Sequence, residues 1–289
     1  MKGIWAAVLT PIDEALRPDA ARAAAYYGEL LERGCDGINL LGTTGEAMSF
    51  DAATRMRFME AIESSALPME RMMAGTGAAS LADAIRLTRH AFDCNFSAAL
   101  VMPPFFFREA SDDGVVAFFD ALFAAASPPP KSILLYNFPR MSGITFHLAL
   151  VDRLVAEFPG TIAGLKDSSN DPRLQTDLLA RHPELSILPG SESELIAAKR
   201  RGISGCISGS VALWSELARE VFENGGEDED RELTQHRAAL DGAPFIGAVR
   251  FLTAMRRGEP SWERAMPPNV PLTPDQRRSL DERAARLTR

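Results

Sequence analysis

The segment SILLYNFPRMSGITFHLALVDRLVAEFPGTIAGLKDSS (132–169) decides how the chain folds, because it contains two short apolar runs separated by a long connection. The runs SILLYN (132–137) and TIAGLK (161–166) are almost continuously hydrophobic, which is typical of parallel strands covered on both faces. Parallel neighbours need a crossover of about a dozen residues or more, and the intervening sequence is long enough for one. The segment therefore predicts one strand–helix–strand unit of a parallel sheet.

The same alternation recurs along the chain, with eight apolar runs. Helical patterns between them begin at Asp51, Ser80 and Ser111, residue types that are typical helix N-caps. Eight units fit a (β/α)8 TIM barrel better than an open doubly wound sheet of about five to seven strands, and no Gly-x-Gly-x-x-Gly follows the first run. The predicted strands are GIWAAVL (3–9), GINLLG (37–42), RMMAGTG (71–77), SAALVM (97–102), SILLYN (132–137), TIAGLK (161–166), LSILPG (185–190) and ISGCIS (203–208).

The end of the barrel is predicted near residue 224. There the glycines and acidic residues of NGGEDEDRE (224–232) indicate a turn followed by a helix start. A chain of 289 residues accommodates a barrel domain of roughly 250 residues with an extension. We expect a barrel over 1–224 and, over 225–289, a helical extension that packs on it.

Charge and composition limit the classes of partner. The net charge is −8 and the arginines are scattered, so a nucleic-acid partner is not expected. No apolar run approaches the ~20 residues that span a bilayer, and the first residues do not resemble a signal peptide, which predicts a cytoplasmic protein without a membrane partner. The three cysteines and four histidines show no metal-binding spacing, so no metal site is expected, and the cysteines are interpreted as core residues.

Polar residues follow three of the predicted strands where each strand ends. They lie in GTTGE (42–46), in YNFP (136–139) and at Lys166. In a barrel the carboxyl ends of all strands open on one face, so we expect these groups to converge there.

Lys166 is one of only four lysines among the 31 basic residues, and it follows the apolar residues IAGL. Its aliphatic stem would lie among apolar neighbours, and desolvation penalises an ammonium ion, which favours a neutral, nucleophilic amine. Such an amine condenses with ketones. The alternative is a lysine paired with Asp167 on a loop, and this segment alone leaves the two open.

Tyr136 and the GTTGE loop supply further candidate groups. A phenol at the barrel mouth can move protons at an imine carbon, although a buried tyrosine is also an ordinary core residue. The loop combines two hydroxyls with glycines that let backbone N–H groups approach a ligand, which suits an anionic group such as a carboxylate.

In this order and at these separations, GTTGE, YNFP followed by SG, and GLKDSS resemble the dihydrodipicolinate synthase and N-acetylneuraminate lyase family of class I aldolases. The resemblance extends from IWAAVLTP to at least GCISGSVAL. It implies the same barrel, a covalent imine with pyruvate or another 2-oxo acid, no metal or organic cofactor, and a homotetramer built as a dimer of dimers.

The resemblance also assigns roles to individual residues. Lys166 would form the imine, and Tyr136 would be the general acid and base. Thr43 would link Tyr136 into a proton relay. Thr44 would bind the pyruvate carboxylate, with the backbone of Ile207 nearby.

Two positions depart from the synthases. Met141 stands where they have an arginine that binds the carboxylate of the aldehyde substrate. Arg140 is adjacent, but neighbours in an extended chain point to opposite sides. Phe106 stands where the synthases have a tyrosine that reaches a neighbouring subunit, and a phenyl ring cannot carry a proton.

Glu192, in GSESE (190–194), and Ser208 are candidates for binding substrate hydroxyls, because sugar-acid lyases of this family place such residues after the seventh strand. A solvated helix start is the competing interpretation of Glu192. The leading hypothesis is a retro-aldol lyase that releases pyruvate from a hydroxylated 2-oxo acid. The alternatives are a keto-deoxy sugar acid dehydratase, dihydrodipicolinate synthase and a non-catalytic oxo-acid binder.

Overall fold

Eight short parallel strands form a barrel in the computed structural model, which describes residues 1–285. Every predicted apolar run overlaps one of these strands, so the predicted (β/α)8 fold is confirmed. The strands are β1 (Gly3–Ala7), β2 (Gly37–Leu40), β3 (Met72–Gly75), β4 (Ala98–Val101), β5 (Ile133–Asn137), β6 (Ile162–Asp167), β7 (Ser186–Pro189) and β8 (Gly205–Ser208).

The barrel is nearly closed. Each strand from β1 to β6 pairs in parallel with the next strand along the chain, and β1 also pairs with β8. Between β7 and β8, the backbone N–H of Ser204 donates a hydrogen bond to the carbonyl of Ile187 at 3.1 Å. The carboxyl ends of all eight strands consequently lie at one mouth.

Helices connect successive strands. Asp51, Ser80 and Ser111 are N-caps as predicted, and each side chain accepts a hydrogen bond from the backbone N–H three residues further on. The helices are α1 (Ala20–Glu32), α2 (Ala52–Glu63), α3 (Leu81–Asp93), α4 (Asp112–Ala126), α5 (Pro139–Ser142), α6 (Leu148–Glu157), α7 (Pro172–Arg181), α8 (Leu195–Arg200), α9 (Ser215–Asn224), α10 (Glu227–Ala238), α11 (Phe245–Arg257) and α12 (Pro274–Ala285).

Alternation of side chains along the strands separates two cores. The larger core lies between the barrel and its helices, and it includes the buried free cysteines Cys35, Cys94 and Cys206. The smaller core fills the barrel interior, where Trp5 leaves so little room that a Cβ on Gly37 would lie 2.4 Å from its ring. The inner core contains Trp5, Ala7, Met73, Ala98, Leu100, Met102, Leu134, Tyr136, Leu188 and Ile207.

The C-terminal part of the chain continues from the barrel without a long linker. Helix α9 ends at Asn224, and α10 packs against α8 and α9. Helix α11 packs near the end of β8, and the segment between α11 and α12 reaches the barrel mouth. The division of the chain at residue 224 stays a prediction. Within residues 1–285, none of the helices has the length and hydrophobicity required to traverse a bilayer.

Candidate active site

A cleft of about 960 Å³ opens at the carboxyl ends of the strands. Its floor is formed by Thr43, Thr44, Tyr136 and Lys166, so the structure brings together the four principal residues that the sequence indicated. One wall follows β5 and includes α5. The other wall comes from the C-terminal part of the chain, chiefly from α10 and α11 and the segment before α12.

Lys166 lies at the carboxyl end of β6, with only 4% of its surface exposed. It is the register partner of Tyr136 on the neighbouring strand β5, which places both side chains on the inner side of the barrel. The Lys166 Nζ lies 4.4 Å from the centroid of the Tyr136 ring. Among residues 1–285, no carboxylate forms an ion pair with this amine.

The alternative pairing of Lys166 with Asp167 is wrong, because the two side chains leave β6 on opposite sides. The Asp167 carboxylate accepts hydrogen bonds from the Asn137 side-chain amide and the Gln175 side-chain amide, each at 2.8 Å, and from the backbone N–H of Ser169 at 3.0 Å. These bonds join β5 to β6 directly beside the Tyr136 and Lys166 pair. Asp167 is therefore a structural residue that leaves the amine of Lys166 without a counter-ion.

Tyr136 and Thr43 form the second contact of the floor. The Tyr136 hydroxyl lies 3.4 Å from Thr43 Oγ1, and either hydroxyl can donate the hydrogen bond. The Tyr136 ring is buried and tilts against Phe138, with the ring centroids 5.7 Å apart. The Tyr136 ring thus lies beside the Lys166 amine, and the Tyr136 hydroxyl contacts a second hydroxyl, with which it can exchange a proton.

Thr44 faces the end of β8. A Cβ on Gly209 would lie 2.5 Å from Thr44 Oγ1 and 3.0 Å from Phe245 Cε1, so only glycine lets these groups approach. Ile207, predicted to offer its backbone nearby, lies two residues earlier, and its side chain is fully buried in the inner core. The structure places Thr44 at the cleft surface and Ile207 beneath it.

The segment after Tyr136 is helical, and this corrects the expectation for Arg140. Residues Pro139–Ser142 form helix α5, so Arg140 and Met141 are separated by about 100° around a helix and do not point to opposite sides of an extended chain. Both residues line the cleft. The prediction for Arg140 was wrong because the chain after Pro139 is helical and not extended.

Phe106 lies outside the cleft. It is 76% exposed and packs edge to face against Phe107, with the ring centroids 5.4 Å apart. Within the described residues of one chain, the floor therefore contains Tyr136 as its single phenol.

Glu192 and Ser208 do not reach the cleft surface. Ser208 is buried, and its hydroxyl lies 3.2 Å from that of Ser210. Glu192 is fully buried, and neither carboxylate oxygen has a hydrogen-bond partner within residues 1–285. The interpretation of Glu192 as a solvated helix start is wrong, whereas substrate contacts by Glu192 and Ser208 stay predictions.

Glu46, the last residue of GTTGE, has a function that the sequence reasoning missed. Its buried carboxylate binds the guanidinium of Arg250 on α11, with Nε to Oε2 at 2.8 Å. The other oxygen accepts from the backbone N–H of Met266 at 3.0 Å and from the Asn269 amide at 2.9 Å. The pair fixes the loop of Thr43 and Thr44 to the C-terminal wall. An arginine inside the apolar run FIGAVRFLTAM (245–255) was the signal that could have indicated it.

A family model agrees with this arrangement. The model of the Dihydrodipicolinate synthetase family matches residues 1–250. The chain belongs to this family. As a member of the Dihydrodipicolinate synthetase family it is an enzyme, a class I Schiff-base lyase of the aldolase type. Among the described residues, His, Cys, Asp and Glu side chains do not gather in threes that could hold a metal ion.

Known proteins that are similar to this family member cover nearly the whole chain. A DapA-like lyase of Chloroflexus aurantiacus is 35% identical over 92% of this chain and 86% of its own. The crystal structure of dihydrodipicolinate synthase from Agrobacterium tumefaciens is 31% identical, covers 100% of both chains and superposes with a TM-score of 0.94. The structure of a variant of Sulfolobus solfataricus 2-keto-3-deoxygluconate aldolase shares the fold, with a TM-score of 0.87. It is 20% identical in sequence and covers 99% of this chain and 96% of its own.

Proposed function

We propose that the protein cleaves a hydroxylated, sugar-acid-like 2-oxo acid to pyruvate and an aldehyde through an imine at Lys166. The observation that carries this proposal is the buried amine of Lys166, which has no carboxylate partner within residues 1–285 and lies 4.4 Å from the Tyr136 ring centroid. A lysine amine is the nucleophile that condenses with a ketone to form an imine.

The reaction follows from the groups on the cleft floor. The Lys166 amine adds to the C2 carbonyl of the substrate, and water leaves to give a protonated imine. Tyr136, hydrogen-bonded to Thr43, transfers the protons of this step and removes the proton of the C4 hydroxyl. The C3–C4 bond then breaks, the aldehyde leaves with C4, and the bonding electrons form an enamine.

Release of pyruvate completes the cycle. C3 of the enamine takes up a proton, and water hydrolyses the resulting imine, which frees pyruvate and the Lys166 amine. The hydroxyl of Thr44, held against Gly209, is positioned to bind the C1 carboxylate. The protonated imine is the electron sink, so the proposal includes no metal or organic cofactor.

Borohydride trapping tests the imine. The protein is incubated with pyruvate and sodium borohydride, digested, and examined by mass spectrometry for a reduced adduct on Lys166. Incubation without pyruvate is the control, because borohydride alone leaves no adduct. Absence of the adduct would rule out the imine mechanism and would leave the non-catalytic oxo-acid binder as the better interpretation.

A panel of hydroxylated 2-oxo acids tests the bond that breaks. Retro-aldol cleavage releases pyruvate, whereas a keto-deoxy sugar acid dehydratase releases water and keeps all carbon atoms in one product. Pyruvate detected by a coupled dehydrogenase assay therefore distinguishes the two. Efficient condensation of pyruvate with aspartate semialdehyde would favour dihydrodipicolinate synthase instead. The homotetramer and the cytoplasmic location remain predictions.

A further inference from the structure

Asp167 follows Lys166 at the end of β6 and faces away from the cleft. It is the register partner of Asn137, just as Lys166 is the register partner of Tyr136. Successive residues of a strand point to opposite sides of the sheet, so the reactive pair faces the inside of the barrel and the other pair faces the helices. The side chains of Asn137 and Asp167 are both buried, and the pairing of the two strands ends with them.

The Asp167 carboxylate is held by donors from three parts of the chain. One oxygen accepts from Asn137 Nδ2 at 2.8 Å and from the backbone N–H of Ser169 at 3.0 Å. The other accepts from Gln175 Nε2 on α7 at 2.8 Å. The Asn137 amide has a defined orientation, because its oxygen accepts from the backbone N–H of Phe146 at 3.0 Å. The network therefore joins the ends of β5 and β6 to α7 and to the segment that follows α5.

Stability alone does not account for this network. A buried carboxylate loses its hydration, and the donors to Asp167 are neutral amides. Within residues 1–285, no arginine, lysine or histidine forms an ion pair with it. Apolar side chains would join the two strands without burying a charge. A fully bonded polar network instead fixes the positions of its members narrowly, because each bond requires a particular distance and direction.

The reactive pair immediately precedes the network in both strands. Tyr136 and Lys166 are each one peptide unit from a network residue, so a change in the separation of Asn137 and Asp167 moves the two reactive side chains relative to each other. In the intact structure the Lys166 Nζ lies 4.4 Å from the Tyr136 ring centroid. A misplacement of about 1 Å between reacting groups can lower a rate by about 100-fold.

We propose that Asp167 is a positioning residue for the reaction at Lys166, with Asn137 and Gln175 as its donors. The carboxylate holds the ends of β5 and β6 at the separation at which the amine of Lys166 and the hydroxyl of Tyr136 act on the same substrate. Asp167 is not itself among the residues that line the cleft, so it acts through its neighbours. The inference rests on the proposed function, because the positioning concerns the imine at Lys166.

Hydrogen exchange at C3 of pyruvate measures the chemistry of the floor without the aldehyde. The protonated imine of pyruvate with Lys166 loses a C3 proton to give the enamine, and in heavy water the enamine takes up a deuteron. Nuclear magnetic resonance follows the loss of the methyl protons, after subtraction of the exchange without protein. The dependence on pyruvate concentration gives kcat and KM for the exchange.

Asp167→Asn is expected to lower kcat for the exchange by about tenfold or more and to change KM by less than about threefold. In either orientation the new amide places its NH2 group against a donor of the network. Adding Gln175→Glu supplies an acceptor opposite that NH2 group and keeps one carboxylate in the network. The double variant should therefore recover kcat to within about threefold of the wild type.

Gln175→Met provides the same test in a milder form, should Asp167→Asn fail to fold. It removes one donor and leaves the carboxylate of Asp167 with two, so kcat is expected to fall by about threefold. Each kcat is calculated per chain that yields the borohydride adduct on Lys166 at saturating pyruvate. This normalisation removes any loss that is due to unfolded protein.

Asp36→Asn is the matched control. Asp36 lies directly before β2, at the opposite end of that strand from the cleft. Its carboxylate accepts from the backbone N–H of Ile4 on β1 at 2.7 Å and from Arg219 at 2.5 Å. The substitution should destabilise the fold, because these bonds are weakened, but it should leave kcat for the exchange within about twofold of the wild type.

The inference is overturned if kcat is unchanged in both Asp167→Asn and Gln175→Met, if the double variant stays as slow as Asp167→Asn, or if Asp36→Asn is equally slow. Borohydride trapping of the wild type separates these failures from a failure of the proposed function. An adduct on Lys166 together with any of these three results would contradict the positioning role alone, whereas a missing adduct would contradict the imine.

Discussion

Lys166 and Arg250 are both buried basic residues near the barrel mouth, but their surroundings differ. The side chain of Arg250 is 1% exposed, and its guanidinium binds the Glu46 carboxylate and donates to the carbonyls of Thr10 at 3.0 Å and Trp262 at 3.3 Å. Lys166 is buried to a similar degree, yet it faces the ring of Tyr136 and has no carboxylate partner within residues 1–285.

This difference separates Arg250, which stabilises the fold, from Lys166, which is free to react. A guanidinium stays protonated under all ordinary conditions, so a buried arginine needs a permanent partner. An ammonium can lose its proton, so a buried lysine can exist without a partner as a neutral nucleophile. Exchanging or neutralising the members of the two sites should therefore affect catalysis in one case and stability in the other.

Lys166→Arg is expected to have the largest effect. The variant should lose the borohydride adduct and reduce pyruvate release by about 10⁴-fold or more, because a guanidinium cannot form the imine. Lys166→Met, which removes the amine at similar volume, should be equally inactive and should keep the far-ultraviolet circular dichroism of the wild type. Activity of either variant within tenfold of the wild type would contradict the role of Lys166.

Glu46→Gln should destabilise the fold by about 3–5 kcal/mol, because the guanidinium of Arg250 would remain buried without its anion. The free energy of unfolding is measured by urea denaturation. Glu216→Gln is the matched control, because Glu216 pairs with Arg33 at the surface and its side chain is 66% exposed. This substitution should lower the free energy of unfolding by less than about 1 kcal/mol. Equal losses in the two variants would show that burial of the Glu46 pair has no energetic importance.

Tyr136→Phe should lower the rate of pyruvate release by about 10²-fold, because it removes the hydroxyl that contacts Thr43 but keeps the ring beside Lys166. The adduct with borohydride should still form, more slowly. Tyr26→Phe removes another buried hydroxyl, one without a hydrogen-bond partner among the described residues, and should leave the rate unchanged. A Tyr136→Phe enzyme with the wild-type rate would assign proton transfer to another group.

Arg250→Lys should have the smallest effect, about 1–3 kcal/mol in the free energy of unfolding. The ammonium keeps the charge next to Glu46 but cannot also reach the carbonyls of Thr10 and Trp262. The adduct on Lys166 should still form. Loss of the adduct in a folded Arg250→Lys protein would mean that the two basic residues are not functionally separate.

Much of the fold follows from local sequence. Each apolar run is long enough for one strand and too short for a helix of ordinary length, so the eight strands could be placed to within a few residues. The positions of Lys166 and Tyr136 at strand ends fixed their convergence, because parallel strands in a barrel open at one mouth. Helix α5 was not predicted, because a single helical turn of four residues is too short to show a periodic pattern of apolar residues.

Long-range pairing accounts for the remaining differences. Glu46 and Arg250 are 204 positions apart, and nothing local indicates which buried charge meets which. The wall that contains Arg237 depends on how α10 and α11 lie against the barrel, which is decided by tertiary packing. Burial of Glu192 is likewise a tertiary outcome, because its neighbours in sequence are serines typical of a surface loop.

The attachment of Glu46 to Met266 and Asn269 also limits how such an enzyme can diversify. A lineage that exchanged the C-terminal wall for another, to accept a different aldehyde, would have to retain donors for the Glu46 carboxylate at those positions. Recombination that removed these donors would leave one oxygen of the buried Glu46 carboxylate without hydrogen bonds, two residues from Thr44. Glu46, in the loop after β2, therefore constrains which sequence changes in the C-terminal wall can alter substrate specificity.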